Sequence, residues 1–205
     1  VNEQVEWELS HYLPGPLSDY KVIMTNSKFE YNNYKEILFI CIRKEIINNI
    51  NTLAQFSDSV LSKLLVENIA LENFINSQAI ISPQKNQILF NIDLIQLVSH
   101  FYFKGLYYNS YSENINPLKS NTLEEKILKL AKEHYLNIKN LNEQLPFGES
   151  KELEIFLYGQ ALTNSIEEQI KENFSCSIEK FNSTKYSDDE NKEIAVYVEA
   201  LGLCC

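Results

Sequence analysis

The sequence predicts an α/β protein in which a mixed β-sheet is covered by helices. Short β-rich runs alternate with segments whose apolar residues recur at helical spacing. Two of these runs flank Lys104-Gly105, a tight turn of the kind that closes an antiparallel hairpin. The periodicity lapses over Ser77–Asn86, around Pro83, so we expect two lobes, residues 1–77 and residues 78–205.

The first lobe is predicted to be a small α+β unit. Pro14-Gly15-Pro16 ends an opening helix, because proline cannot continue a helix and glycine favours a turn. A polar stretch rich in Tyr and Asn then separates two β-rich runs. The predicted elements are a helix over Glu3–Tyr12, strands over Asp19–Asn26 and Glu36–Arg43, a helix over Lys44–Ser57, a short β-like run at Leu61–Val66 and a helix over Ala70–Ile75.

The second lobe is predicted to hold the larger sheet. Thr122 and Glu125 have the spacing of a capping box, which opens a long helix. Gly159 ends a strand, and Asn164 or Ser165 is expected to cap the next helix. The predicted strands are Gln87–Ile92, Leu97–Phe103, Leu106–Ser110, Glu152–Tyr158 and Ser177–Phe181, and the predicted helices are Leu123–Lys139, a helix ending at Phe174, and Lys192–Leu201 after an acidic turn at Asp188–Asn191.

Acidic residues dominate the charge of the chain. Its 205 residues include 28 acidic and 18 basic side chains, which gives a net charge of −10. This charge repels phosphate backbones and anionic lipids, so we expect neither nucleic acid nor a membrane surface as the main partner. The apolar runs are shorter than a membrane span requires, and no secretory signal is visible, which predicts a cytoplasmic protein.

The cysteines and histidines lack the spacing of metal or redox sites. They are Cys41, Cys176, Cys204 and Cys205, and His11, His100 and His134. Without a C-x-x-C pair, the cysteines are predicted to be free, buried thiols in a reducing compartment. Each histidine is predicted to be a solvated or core-edge imidazole. His100 has the best claim to a function, because it lies in an apolar strand.

The motifs of common phosphate and hydrolase sites are missing. The five glycines form no G-x-G or G-K-[ST] pattern, although a phosphate loop needs glycines so that backbone N–H groups can reach the anion. No G-x-S-x-G elbow is present either. Three tyrosines, Tyr107, Tyr108 and Tyr111, cluster at the end of the predicted hairpin. They are expected to cover a sheet edge, and a peptide-docking surface is the alternative.

Four segments in order carry a resemblance to a known family. These are Val5–Ile23 with Glu36–Phe74, Ile88–Glu113, Leu153–Asn182 and Glu193–Cys205. Together they resemble the branch of the actin-like ATPase superfamily that contains PilM and FtsA: a small lobe, a second phosphate hairpin, an adenosine segment and a closing helix. The resemblance implies an actin-like, ribonuclease H-like mixed sheet covered by helices, incomplete, with a small α+β lobe at the N-terminus.

The sequence departs from that family where nucleotide would bind. The family's hairpin begins Asp-Ile-Gly, whereas this chain has Asn91-Ile92-Asp93, so an amide replaces the acid that positions metal and water. The adenosine turn has Gly159-Gln160 in place of two glycines. Asn91, Asp93, Gly159 and Gln160 are therefore the vestigial cofactor-binding positions that the resemblance implies. A carboxylate at Asp93 would repel a polyphosphate unless a cation intervened.

Other parts of the family's ATPase are also missing from the sequence. The chain begins with Val1 and its only methionine is Met24, so we expect a segment upstream to be missing. The family's first phosphate loop would lie there or is absent altogether. The stretch Asn114–Asn121 is too short for the subdomain that roofs the family's second lobe. Hydrolysis of ATP is therefore not expected.

The resemblance and its departures together imply a degenerate, non-catalytic scaffold or adaptor that binds a protein partner without cofactor or metal. By resemblance to PilM, the partner would be the cytoplasmic tail of an inner-membrane pilus or envelope assembly protein, held by the first lobe. The alternative is an ATPase or kinase of the same superfamily whose ATP and magnesium site is completed by a missing N-terminal segment. A third interpretation is a structural domain whose similarity is only topological.

Overall fold

The computed structural model describes residues 3–24, 29–31, 34–61, 64, 69–72, 75, 81–115, 122–145 and 152–180. Several sequence predictions lie outside these residues. They are the final helix Lys192–Leu201, the acidic turn Asp188–Asn191, Cys204 and Cys205, and most of the β-like run Leu61–Val66.

Contacts within the chain separate two compact units, Val1–Leu64 and Leu65–Cys205. This division falls earlier in the chain than the lobe boundary expected after residue 77. Residues 69–72 are helical, as the sequence predicted for this region. Leu71 and Ile75 are buried in the core of the second unit.

The first unit is a small α+β unit. Its elements are α1 (Glu3–Tyr12), a 3₁₀ turn (Leu17–Asp19), β1 (Tyr20–Met24), β2 (Phe29–Tyr31), β3 (Tyr34–Glu36), β4 (Phe39–Arg43) and α2 (Lys44–Phe56). β1 pairs with β4 in antiparallel register, and β2 pairs with β3 as a short hairpin. The two predicted helices and the two predicted strands of this segment are therefore confirmed.

A hydrogen-bonded cluster around Tyr20 holds the proline turn to this sheet. The Tyr20 hydroxyl donates to the Pro14 carbonyl at 3.1 Å, and the Arg43 guanidinium contacts both groups at 3.2 Å. Tyr20 lies directly opposite Arg43 in the β1–β4 pair. The only arginine of the chain therefore ties the turn that ends α1 to the strand that precedes α2. A guanidinium can do this because its fixed N–H groups reach two acceptors at once.

The second unit is built on a five-stranded mixed sheet. Its strands are β5 (Asn86–Ile92), β6 (Gln96–Phe103), β7 (Leu106–Asn114), β8 (Leu153–Tyr158) and β9 (Ser177–Lys180), in the spatial order β7-β6-β5-β8-β9. β5, β6 and β7 are antiparallel neighbours, whereas β5, β8 and β9 are parallel. The helices that follow β7 and β8 are α3 (Leu123–Gln144) and α4 (Asn164–Asn173). The predicted mixed sheet and the predicted hairpin are confirmed.

Turn and cap chemistry explains most of these boundaries. Lys104 and Gly105 have φ of 48° and 79°, the positive values that a tight hairpin turn requires. Thr122 and Glu125 form the predicted capping box. Thr163, and not Asn164 or Ser165, caps α4 by accepting a hydrogen bond from the Ile166 amide. The predicted cap was wrong because the side chain that meets the free amide lies one residue earlier.

Helix α3 buries one stripe of side chains, and two of its polar contacts reach the sheet. The buried residues are Ile127, Ala131, His134, Ile138 and Asn142. Asn142 accepts a hydrogen bond from the Asn86 side chain at 2.9 Å, and Ser99 and His134 are hydrogen-bonded at 2.9 Å. α3 continues to Gln144, beyond the predicted end at Lys139, because its buried stripe continues to Asn142.

The histidine predictions need correction, because His100 and His134 are buried in the core and not solvated or at its edge. They are 2% and 3% exposed, whereas His11 is exposed as expected. Neither ring nitrogen of His100 has a hydrogen-bond partner among the described residues. Burial lowers the pKa of His100 to about 4 and also lowers the pKa of His134. Both imidazoles are therefore neutral at pH 7.

We expect His100 to make the stability of the second unit depend on pH. The unfolded chain binds a proton near pH 6.5, whereas folded His100 stays neutral until about pH 4, so stability falls as pH decreases across this window. When the pH falls from 7 to 5, His100 should lower the free energy of unfolding by about 2 kcal/mol. Urea unfolding followed by circular dichroism should show a shallower pH dependence for His100→Phe.

The matched control is His11→Gln, which changes an exposed histidine of the first unit and keeps the buried His100, so the pH dependence that His100 causes should persist. Some slope should persist in His100→Phe, because the pKa of His134 is lowered too. Parallel pH curves for wild type and His100→Phe would contradict this account.

Candidate functional site

The vestigial positions of the sequence prediction lie at one edge of the five-stranded sheet. β5 and β8 are parallel, and Asn91 pairs with Tyr158 at their carboxyl ends. The residues that follow these two strands, Asp93 and Gly159, therefore emerge side by side. In open α/β sheets this is the edge at which ligands commonly bind.

Gly159 packs against the backbone of β5 too closely for any side chain. Its φ is 118°, and a Cβ there would lie 2.4 Å from the Ile92 carbonyl oxygen and 2.6 Å from the Ile92 nitrogen. The Ala161 amide donates to the same carbonyl at 2.9 Å. The turn after β8 is therefore fixed directly onto the last residue of β5.

The Asn91 side chain occupies the space next to this glycine. Its Oδ1 would be 2.7 Å from a Cβ on Gly159, so the amide lies directly against this glycine. An amide oxygen is neutral, so it attracts a cation much less strongly than a carboxylate does. The arrangement therefore places a neutral amide, and no acidic ligand, beside Gly159.

The carboxylate of Asp93 is engaged by its own turn. Oδ1 accepts a hydrogen bond from the Leu94 amide at 2.6 Å, and the Asp93 amide donates to the Gln96 carbonyl at 3.0 Å. These contacts close the turn between β5 and β6. Leu94 and Ile95 at its tip are 51% and 70% exposed. The turn thus presents apolar side chains to solvent together with one negative charge.

The structure brings Asn91 and Gly159 into contact range and places Asp93 in the adjoining turn. Gln160 is exposed. The role of all four positions in a vestigial nucleotide site remains a prediction. Sequence reasoning did not identify the part played by the Ile92 backbone, because a backbone carbonyl leaves no trace in residue type.

Each unit also has a cavity with charged residues in its wall. In the first unit a cavity of about 500 Å³ adjoins the Tyr20 cluster and the start of α2, with Arg43 and Lys44 in its wall. In the second unit a cavity of about 470 Å³ lies where β8 and β9 begin. There Lys85 and the buried Gln87 both bind the Glu154 carboxylate, at 3.0 and 2.7 Å. The two charges in that contact compensate each other.

The two described cysteines are free, as predicted, but they are half-buried and not fully buried. Burial raises the pKa of both the Cys41 and Cys176 thiols. Both therefore stay protonated at neutral pH, which makes them poor nucleophiles. Among the described residues no cluster of His, Cys, Asp and Glu could hold a metal ion. In the same residues no helix is both long and apolar enough to span a bilayer.

No protein-family model matches this sequence, and no curated protein is significantly similar to it. Its fold, however, is similar to those of several solved structures, including the following two. The first is a PilM–PilN type IV pilus biogenesis complex, with a TM-score of 0.61 and 14% identity over 98% of this chain and 70% of that chain.

The second structure is a Bacteroides thetaiotaomicron protein with an actin-like ATPase fold and unknown function. Its TM-score is 0.53, with 12% identity over 100% of this chain and 66% of that one. The chain has the actin-like fold. The predicted class is therefore confirmed. The chain spans at most 70% of the matched structures, in agreement with the predicted incomplete form.

We expect Gly159→Ala to destabilise the second unit by about 3 kcal/mol, because the new methyl group would overlap backbone atoms of Ile92. Urea unfolding followed by circular dichroism measures this loss. Gly15→Ala is the matched control: Gly15 has a similar φ of 123° but no atom within 4 Å of its Cβ position. The control should lose about 1 kcal/mol, from backbone strain alone. Equal losses at both positions would show that the close approach is unimportant.

Proposed function

We propose that this chain is a non-catalytic actin-like scaffold that binds a protein partner. The partner we propose is the cytoplasmic tail of an inner-membrane protein of a pilus or envelope assembly machine. The chain would then lie in the cytoplasm, at the periphery of the inner membrane, and would be held there through that partner.

The observation that carries the non-catalytic part of the proposal is the contact between the Asn91 amide and Gly159. Nucleotide phosphates need open backbone and an associated cation at such an edge. Here the Asn91 amide oxygen is so close to Gly159 that it would lie 2.7 Å from a Cβ on this residue. The nearby Asp93 carboxylate is hydrogen-bonded within its own turn. Both features oppose the approach of a polyphosphate.

The partner part is supported by exposed apolar side chains in the first unit. Neither α1 nor α2 has a fully buried residue. On α2 the side chains of Leu53 and Phe56 are 68% and 84% exposed, and on α1 Trp7 is 64% exposed. Exposed aromatic and aliphatic groups of this size are typical of protein contacts. A structure with the same fold is a complex of PilM with PilN.

We expect the wild-type chain to bind ATP with magnesium more weakly than about 1 mM, a binding free energy of about −4 kcal/mol, and to release no phosphate. Isothermal titration calorimetry and a phosphate-release assay measure the two quantities. We expect weak binding because the Asn91 amide lies directly against Gly159. Micromolar binding with turnover would overturn the non-catalytic proposal.

One observation favours the alternative, an ATPase or kinase completed by a further N-terminal segment. Asn91 and Gly159 lie at the same sheet edge, as that alternative requires. It predicts nucleotide binding by a longer chain, weakened by Asn91→Ala. The scaffold proposal predicts no binding by either the wild type or this variant in the same titration.

We expect Leu53→Asp with Phe56→Asp to abolish recovery of an inner-membrane protein by the tagged chain from solubilised membranes of the source cell. Two charges on the exposed face of α2 would have to be desolvated in any apolar contact. Quantitative mass spectrometry compares the recovered proteins. The control is Lys129→Asp with Lys132→Asp, which changes exposed residues of α3 in the second unit. A partner recovered equally by both double variants would exclude α2 as its contact.

A further inference from the structure

The strand β7 forms one edge of the five-stranded sheet, and the two edges of this sheet are protected differently. Proteins commonly protect edge strands by shortness, by charged residues or by proline, because an open edge can pair with another chain. The opposite edge, β9, has four residues and ends in the charged pair Glu179-Lys180. β7 has nine residues, contains no proline, lysine or arginine, and carries one charge, on Glu113. The less protected edge is therefore β7.

The backbone groups that β7 directs outward belong to alternate residues. The Ser110 amide donates to the side chain of the residue before it at 2.8 Å. The Ile115 amide, in contrast, donates inward, to the Ile95 carbonyl at 2.7 Å. Inward and outward residues alternate along an antiparallel ladder, so Ser112 and Asn114 direct both N–H and C=O away from β6.

The open part of the edge is the second half of β7. Ser112, Glu113 and Asn114 are exposed and keep regular register with β6, which is the only strand that pairs with β7 among the described residues. Ser110 offers only its carbonyl, because its amide is already bound locally. We call the Ser110 carbonyl together with Ser112–Asn114 the free edge. A further strand can pair with it without using the Ser110 N–H.

Acidic side chains lie on the α3 side of the free edge. Glu113 and Tyr111 share a face of the sheet, and the Tyr111 ring lies 5.9 Å from the ring of His134 on α3. Burial lowers the pKa of His134, and the Glu113 and Glu133 carboxylates oppose this shift, so both acids lie near the imidazole. Glu133 has a distant ion pair with Lys129, at 3.8 Å. Glu113 has no ion-pair partner in the described part of the chain, and the neutral imidazole does not compensate its charge.

We propose that the free edge binds an extended basic segment of another protein, which adds a sixth strand to the sheet and places a lysine or arginine opposite Glu113. In strand addition, main-chain hydrogen bonds give affinity and alternate side chains give specificity. A cation at this position faces a carboxylate directly and the Tyr111 ring diagonally. This inference goes beyond the proposed function, because it concerns the second unit and holds whether or not the first unit binds a partner.

Charge selects the occupant. The net charge of −10 attracts a basic segment, and it repels an acidic one or a second copy of this chain. At the free edge itself, a cation opposite Glu113 forms a favourable pair across the strands, whereas an acid there would be repelled. Both the whole chain and the edge therefore favour a partner strand that carries lysine or arginine.

The test uses the full chain and a fluorescein-labelled peptide of nine residues that alternates lysine with valine. A peptide that alternates glutamate with valine is the control. Fluorescence anisotropy should give a Kd of about 100 μM for the lysine peptide in 50 mM NaCl. In 300 mM NaCl the Kd should rise at least about threefold, because salt screens opposite charges. The glutamate peptide should not bind.

Two substitutions separate strand pairing from general attraction between charges. Ser112→Pro removes an N–H that β6 does not use, so the sheet should keep its fold, but the Kd should rise at least about tenfold. The matched control, Ser112→Ala, keeps this N–H and should leave the Kd within about twofold of the wild type. Glu113→Lys should lose the lysine peptide and bind the glutamate peptide instead, because the charge opposite the partner strand is reversed.

Hydrogen exchange of the wild-type chain locates the contact even if Ser112→Pro fails to fold by circular dichroism. The lysine peptide should protect the Ser112 and Asn114 amides and leave the β9 amides unchanged. The proposal would be overturned if the lysine peptide did not bind, if it bound Ser112→Pro as tightly as Ser112→Ala, if Glu113→Lys did not exchange the preference, or if protection appeared only outside β7.

Discussion

The close packing of Gly159 on the end of β5 is the constraint on which the candidate site depends. The parallel pairing of β5 and β8 brings two turns to one edge, and a residue without a side chain lets them meet. The Ile92 carbonyl then accepts a bond from beyond the glycine. In a nucleotide-binding protein such an approach leaves backbone open to a phosphate. Here the Asn91 amide oxygen lies beside the glycine, so the close approach serves packing between the two strands.

The two units bury very different amounts of apolar surface. The second unit has a sheet with buried residues on both faces, with α3 on one face and Leu71 and Ile75 contributing to the core on the other. In the first unit Tyr20 is the one buried apolar residue among those described, and hydrogen bonds from Arg43 supplement its small core. A unit with so little buried apolar surface leaves large side chains on its helices exposed. That surface is available for a partner.

The sequence predicted most elements of the fold because their signals are local. Each of these signals depends on residues within a few positions of each other. Examples are the proline that follows α1 at Pro14, the hairpin turn at Lys104-Gly105 and the capping box at Thr122. The errors arose where distant contacts decide. β7 continues past its predicted end at Ser110, because β6 offers paired positions as far as Asn114. His100 is buried without a described hydrogen-bond partner, although its residue type had favoured a solvated or core-edge position.

The amino-acid sequence by itself determined the α/β class, the order of elements and the presence of an amide at Asn91 and an acid at Asp93. These follow from periodicity and residue type, which are properties of the chain. Only the tertiary structure decided that Asn91 lies against Gly159, that Asp93 is bound within its own turn and that β7 forms a long edge. Such facts depend on which strands become neighbours. Strand neighbours are set by the packing of the whole sheet, which no short stretch of sequence specifies.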